Sequence, residues 1–404
     1  MQLAQLPPLS LYVHIPWCLK KCPYCDFNSH ERKGELPERE YVDALVADLE
    51  ACLPQVYGRR LNTVFFGGGT PSLFSPESFD RLLVAIRTRV PVDPDAEITL
   101  EANPGTFEAG KFRGFRAAGI NRLSLGVQSF DDARLAAIGR VHGADEARRA
   151  LDMALATFPT VNADIMYALP EQALEGALAD VEEAIRRGAP HVSAYHLTLE
   201  PDTHFHRFPP PLPAEDVAAD MQEGIEARLA AAGYQHYETS AFARPGERAR
   251  HNLNYWTFGD YLGLGAGAHG KISFRDRIVR EVRERKPQGY LRAALEAGNA
   301  VRESRDVAEA ELPFEFMLNA LRLVEGFPLA LFTERTGLPL DVVEPQLAAA
   351  EAAGLIERDH ARIAPSARGR RFLNDLLERF LEAPPAQGRR RSINIYSAGT
   401  ARPS

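Results

Sequence analysis

The sequence predicts an α/β chain: a partial (βα)6 barrel followed by a small, mainly helical, winged-helix-like domain. Three observations predict it. Short apolar runs alternate with helix-period segments from the first strand to about residue 200. Polar and unusual residues fall at the C-terminal ends of successive strands. Beyond Val301 the pattern changes to short helices and one hairpin.

Strands are expected at Leu11 to Ile15, Thr63 to Gly67, Glu97 to Glu101, Asn121 to Gln128, Val161 to Met166 and Val192 to Thr198. The helix-period segments between them are Glu38 to Cys52, Pro76 to Arg89, Phe107 to Ala118, Ala144 to Phe158 and Leu174 to Arg187. Ser75 and Pro76 supply an N-cap and a first-turn proline, and Gly119 and Gly188 stand where helices stop. Six βα units in series imply a parallel sheet, doubly wound or curled. A doubly wound sheet gathers its special residues at one switch point. Here Pro16 to Cys25 follows the first strand and Gly67 to Pro71 the second; Glu101 closes the third, Gln128 closes the fourth, and Asp164 lies late in the fifth. That distribution favours the open barrel. The expected division is 1–300 for the barrel with its cysteine loop and a C-terminal extension, 301–382 for the small domain, and 383–404 for a disordered tail rich in Pro, Gly and Arg.

At 404 residues, with 45% hydrophobic and 25% charged, the composition is that of an ordinary chain able to bury a sizeable core. A net charge of -8 argues against nucleic acid as a partner. Met1 to Ser10 has neither a basic start nor an apolar run, and no stretch of 18 apolar residues occurs, so a cytoplasmic protein is expected.

Cys18, Cys22 and Cys25 form a Cys-x3-Cys-x2-Cys run in a chain with four cysteines. Three thiolates this close can hold three irons of a cubane and leave the fourth open to an outside ligand. Zinc would want a fourth protein ligand, and His14 and His30 flank the run, so counting alone leaves zinc open. Cys52 stands apart, which speaks against a disulfide framework. Gly67-Gly-Gly-Thr-Pro71 lets backbone approach a ligand, or simply makes a tight strand-to-helix turn. Glu101, at the end of an apolar strand, caps the next helix as readily as it binds a ligand. Gln128, Arg140 and Asp164 add an amide, a cation and a carboxylate expected at the same mouth. Alternation turns Asn162, Asp164 and Met166 to one side, and an inward polar group is costly unless something binds it.

The cysteine run, Tyr24 and Gly67 to Pro71 together resemble the radical S-adenosylmethionine (SAM) proteins. The longer strings around them resemble the branch holding oxygen-independent coproporphyrinogen III oxidase and its relatives, the HemW family of heme chaperones. That resemblance runs from about Leu11 to residue 380. It implies a [4Fe-4S] cluster on Cys18, Cys22 and Cys25, with SAM on its open iron. Tyr12 and Tyr24 would line the SAM pocket, Gly68, Gly69 and Thr70 would meet its methionine end, and Glu101, Gln128, Arg140, Asp164 and Thr198 would surround the rest.

Two features part the branches. The oxidase pattern carries a further cysteine two residues after the third, where this chain reads Cys25-Asp26-Phe27, and the long N-terminal extension expected of the oxidase is not seen before the first strand. Both favour the chaperone over decarboxylation. His251-Asn-Leu-Asn-Tyr255-Trp256 resembles a His-Asn-x-x-Tyr-Trp signature of the chaperone family. His251 is a candidate haem ligand and Tyr255 and Trp256 are flat surfaces, although a structural turn and core packing account for the same residues. Glycines in Tyr261 to Gly270 point to close backbone packing rather than to a dinucleotide. The resemblance thus implies haem as cargo and haem-accepting proteins as partners, membrane respiratory enzymes among them, and leaves a homodimer and any enzymatic turnover open. In the small domain no basic recognition helix stands out.

Overall fold

The computed structural model describes residues 1–106 and 109–381. The helix expected from Phe107 begins, as described, at Ala109, and the tail from residue 383 lies outside the described residues.

The barrel strands are β1 (Leu9–Ile15), β4 (Leu61–Gly68), β5 (Val92–Ala102), β6 (Arg122–Gln128), β7 (Thr160–Tyr167) and β8 (His191–His196). Between β1 and β4 a two-residue parallel pair, β2 (Trp17–Cys18) and β3 (His30–Glu31), closes the cysteine loop on itself. In the sheet these six strands stand in chain order, each parallel to the next. Chain order without reversal is what separates a barrel from a doubly wound sheet: right-handed crossovers all running one way place every helix on one face. The helices accordingly form an outer layer. α1 (Glu38–Cys52) packs on α2 (Pro76–Arg89), α2 on α3 (Ala109–Ala118), and, past the short α4 (Asp132–Ala137), α3 on α5 (Ala144–Thr157). α6 (Leu174–Arg187) ends at Gly188 in the left-handed conformation, at φ 83°. Val13, Val64, Leu100, Leu123, Ala163 and Val192, one from each strand, are buried in the same core as Leu45, Leu83, Phe112, Leu151 and Val181 of those helices.

The sheet goes further than the six units. After the one-turn α7 (His204–Arg207) and α8 (Glu215–Ala231), β9 (Gln235–Glu238) and β10 (Ala241–Ala243) add an antiparallel hairpin beside β8. α9 (Arg250–Trp256) leads into β11 (Asp260–Leu264), parallel to β1 on its other side, and β12 (His269–Ser273), β13 (Ile278–Arg283) and β14 (Val301–Asp306) follow antiparallel. Twelve strands result, in the order β14-β13-β12-β11-β1-β4-β5-β6-β7-β8-β10-β9. Val301–Asp306, expected in the small domain, is therefore the edge strand of the large sheet. Glycines 263 and 265 serve packing, as expected. A Cβ at Gly263 would stand 1.9 Å from the His269 carbonyl oxygen, and one at Gly265 2.2 Å from that of His14.

Buried charges hold this extension to the barrel. Arg283, fully buried, binds Asp48 of α1 at 3.1 Å and Glu281 at 2.7 Å. Lys271 binds Asp260 at 2.9 Å, and Arg59 takes the second oxygen of that carboxylate at 2.8 Å.

A second core, with Phe258, Ile278, Val307, Phe316, Phe332, Leu347 and Ile363, belongs to the small domain and the strands beneath it. Past α10 (Pro287–Leu295), it runs α11 (Leu312–Ala320), β15 (Phe327–Pro328), α12 (Leu329–Thr336), α13 (Glu344–Ala352), β16 (Ile356–Arg358) and β17 (Arg362–Pro365), with the sheet in the order β15-β17-β16. Helix, strand, two helices and a hairpin make the winged-helix-like order. α13 carries Glu344 and Glu351 and no Lys or Arg. No helix among the described residues is long and apolar enough to cross a membrane.

Candidate functional site

The site is assembled where the parallel strands end. Cys18, Cys22 and Cys25 lie on the loop after β1, all free and half-buried. That loop is stitched to the glycine turn after β4: Gly69 N–H donates to the Ile15 carbonyl at 2.8 Å and Thr70 N–H to that of Trp17 at 2.7 Å. Gly68 has φ 114°, and a Cβ there would stand 2.5 Å from the His14 ring. The glycines therefore already have a packing reason, and a side chain at 68 would displace the cysteine loop as well as any ligand.

Each sulfur has a polar neighbour. Thr70 Oγ1 lies 3.6 Å from Cys18 Sγ, Arg140 Nη1 3.6 Å from Cys22 Sγ, and Ser29 Oγ 3.7 Å from Cys25 Sγ. The first two are linked. Arg140 Nη2 donates to Asn103 Oδ1 and, at 2.9 Å, to the Gly126 carbonyl; Asn103 Nδ2 donates to Thr70 Oγ1 at 2.8 Å. One guanidinium thus acts on Cys22 directly and on Cys18 through two polar side chains. Asn103 went unnoticed in the sequence, although it shares the strand-end face of Glu101 two residues before it. Gln128, in the left-handed region at φ 69° after a bulge in β6, turns its amide toward the same point: a Cβ at Gly126 would meet Asn103, Gln128 and Arg140 together.

Deeper in the barrel are the carboxylates. Glu101 accepts from Gly68 N–H at 3.0 Å, and burial, followed by the charge of Asp164, pushes it up to about 8. Asp164 accepts from Ser124 at 3.0 Å and Asn162 at 2.8 Å, and burial raises it to about 6. Tyr12 hydroxyl pairs with His14 Nδ1 at 2.9 Å, its ring stacked at 6.2 Å on Phe65. Tyr24 packs against Phe205 at 6.4 Å. Thr198 sits past the end of β8 and donates to Glu200 at 2.6 Å.

His251, the candidate haem ligand, lies in the core. It is 1% exposed, with Nδ1 2.7 Å from Thr63 Oγ1 and Nε2 2.9 Å from Tyr255 hydroxyl, and its ring lies on Phe65 at 4.9 Å. Burial lowers it to about 3, so it is a neutral core imidazole. The helix expected from the spacing is present, and His251 and Tyr255 do share its face, turned inward. Trp256 is buried, with the Arg322 guanidinium 4.3 Å over its ring. Both ring nitrogens of His251 are thus hydrogen-bonded to neighbouring side chains.

Comparison with known proteins places this geometry. Residues 12–184 match the model of the radical SAM superfamily and residues 307–372 that of the HemN C-terminal domain. The chain is 49% identical to the heme chaperone HemW of Escherichia coli (strain K12) over 94% of this chain and 100% of that one, and 46% identical to that of Haemophilus influenzae over 93% and 99%. This chain belongs to the HemW family. In fold it is similar to coproporphyrinogen III oxidase (HemN) from Escherichia coli, a radical SAM enzyme, with a TM-score of 0.79 at 24% identity over 93% of this chain and 90% of that chain.

Membership of the radical SAM superfamily implies a [4Fe-4S] cluster and SAM, and for a HemW-type chain the residues fit both. Burial pushes the Cys25 thiol up to about 11 and raises Cys18, so thiolates at these two positions call for a cationic partner such as a cluster's irons. Among the described residues no group of three or more His, Cys, Asp and Glu is arranged to hold a metal ion. A cubane asks for something else, since each thiolate takes its own iron and the sulfurs stand apart. Arg140 Nε is buried without a hydrogen-bond partner, a donor left over for a bound group. Glu101 and Asp164 are desolvated carboxylates that an ammonium and a sulfonium would complement.

Proposed function

We propose that this chain is a heme chaperone: it binds haem and passes it to acceptor proteins, using a [4Fe-4S] cluster on Cys18, Cys22 and Cys25 and SAM in the barrel mouth. Likeness to heme chaperones through the barrel and the small domain alike, with Phe27 in place of a fourth loop cysteine, carries the reading. When bound, the cluster supplies a redox centre with one iron open to the amino and carboxylate groups of SAM. The chain's own residues do the holding. Arg140, Asn103 and Thr70 steady the sulfurs, the turn at Gly68, Gly69 and Thr70 borders the methionine end, and SAM's cations would draw the buried carboxyls of Glu101 and Asp164 to their charged forms. Tyr12, Tyr24, Gln128 and Thr198 complete the wall. The proposed acceptors are haem proteins, membrane respiratory enzymes among them, served from the cytoplasm.

The test is anaerobic reconstitution of the full chain with iron and sulfide, followed by parallel assays. Haem binding and transfer to an apo-acceptor, with no conversion of coproporphyrinogen III in the presence of SAM and reductant, is the expected result. Sustained decarboxylation would overturn the reading.

A further inference from the structure

With His251 sealed in the core, the haem iron needs another ligand, and the histidines can be sorted by exposure. Of the 11, His204, His206 and His360 are exposed, and the rest are buried or half-buried. His360 lies on the β16 to β17 hairpin of the small domain beside Asp359. The other two sit together on α7, in His204-Phe-His-Arg-Phe208.

α7 is docked on the cysteine loop. Phe205, the inward residue of the turn, is buried with Tyr24 packed against it, and its N–H donates to the Pro23 carbonyl at 3.0 Å, between Cys22 and Tyr24. His204 and Phe208 stand side by side at the surface, and Arg207, next to Phe208 in sequence, is exposed as well. The rings of His204 and Phe208 are 5.0 Å apart and inclined at 40°, Phe208 is 66% exposed, and Phe208 N–H donates to the His204 carbonyl at 2.8 Å to hold the spacing. Neither the His204 ring nor the Arg207 guanidinium has a hydrogen-bond or ion-pair partner among the described residues.

We propose that α7 is the haem-docking site, with His204 as the axial iron ligand, Phe208 as the flat apolar contact and Arg207 pairing with a propionate. The chemistry matches the cargo part by part: a neutral imidazole nitrogen for iron, an aromatic face for the macrocycle, a guanidinium for a carboxylate. The step is coordination alone, a lone pair from imidazole to iron, with no electron or proton to balance. The proposal rests on the chaperone reading and gives it a location beside the cluster loop.

The experiment titrates the reconstituted full chain with haem and follows the Soret band in wild type and in His204→Ala, His206→Ala, His360→Ala and Phe208→Ala. All four residues are exposed, so folding is spared, and cluster absorbance verifies it. His204→Ala should weaken binding at least tenfold and shift the Soret maximum. Phe208→Ala should weaken it severalfold with the maximum unmoved, and the other two variants should match wild type. Wild-type affinity and spectrum in His204→Ala, or dependence on His206 or His360 instead, overturns the site while the chaperone reading stands. Absence of haem binding by wild type overturns both.

Discussion

Truncating His251 separates a core imidazole from a ligand. Its partners assign the tautomer: Thr63 hydroxyl donates to Ser10 at 2.8 Å, so it accepts from Nδ1–H, and Nε2 then accepts from Tyr255 hydroxyl. His251→Ala removes a ring stacked on Phe65 and leaves the Tyr255 hydroxyl without its acceptor. The ring's cavity costs roughly 2–4 kcal/mol, toward the lower side of aromatic truncations, and the stranded hydroxyl about 1 kcal/mol more. The sum, about 3–5 kcal/mol, lowers the apparent melting temperature by about 6–10 °C at the roughly 2 °C per kcal/mol of a large chain. Circular dichroism melts of the full chain give the first number, and Soret titration gives haem affinity, expected unchanged wherever the variant is folded. A wild-type melt combined with a tenfold loss of haem affinity would refute this reasoning and make the imidazole a ligand after all.

Replacing Cys18, Cys22 or Cys25 with Ala should abolish the four-iron absorbance, whereas Cys52→Ala should keep it, since Cys52 Sγ lies against buried Arg283 rather than in the loop; an intact cluster in any loop variant sinks the ligand set. Glu101 has its folded value raised from 4.5 to about 8, so the stability linked to its proton is complete below about pH 4.5 and lost as pH rises through about 8. Glu101→Gln should therefore gain on wild type between about pH 5 and 8 in ligand-free melts and level off above that, and parallel curves would remove the claim. Lys271→Met leaves the fully buried Asp260 with only Arg59 as a cationic partner, which should cost about 3–5 kcal/mol by urea denaturation. A loss under about 1 kcal/mol would mean that Arg59 suffices.

What was legible in the sequence was whatever local chemistry marks. α1, α2 and α6 fall on the expected residues: Ser75 caps α2 by accepting from Ser78 N–H, and Gly188 ends α6. β5 starts earlier than expected because Asp93-Pro-Asp-Ala-Glu97 reads as a loop. The C-terminal extension was expected, but its antiparallel strands were not legible, for a related reason. Lys271, Glu281 and Arg283 look like solvent-facing residues, and their burial is made tolerable by Asp48, Asp260 and Arg59, far away in sequence. Glu101, Gln128 and Asp164 could be placed at strand ends from the strand pattern alone, but Asn103 and Ser29 gain meaning only through neighbours the fold brings in, and the hydrogen bonds to both nitrogens of His251 come from residues the sequence does not place beside it.

The two rims of the twelve-stranded sheet are guarded by different means. β14 is lined by Arg302, Glu303, Arg305 and Asp306, charges that discourage another chain from adding a strand. β9 has no such row; the small domain shields it, through the bridge between Glu238 and Leu323, the Val324 N–H bond to the Tyr237 carbonyl at 3.1 Å, and Arg322 against Glu238. The small domain is thus also a cover for a sticky seam. A barrel expressed without it would expose unpaired backbone on that side and tend to aggregate, a failure of solubility that would masquerade as loss of function.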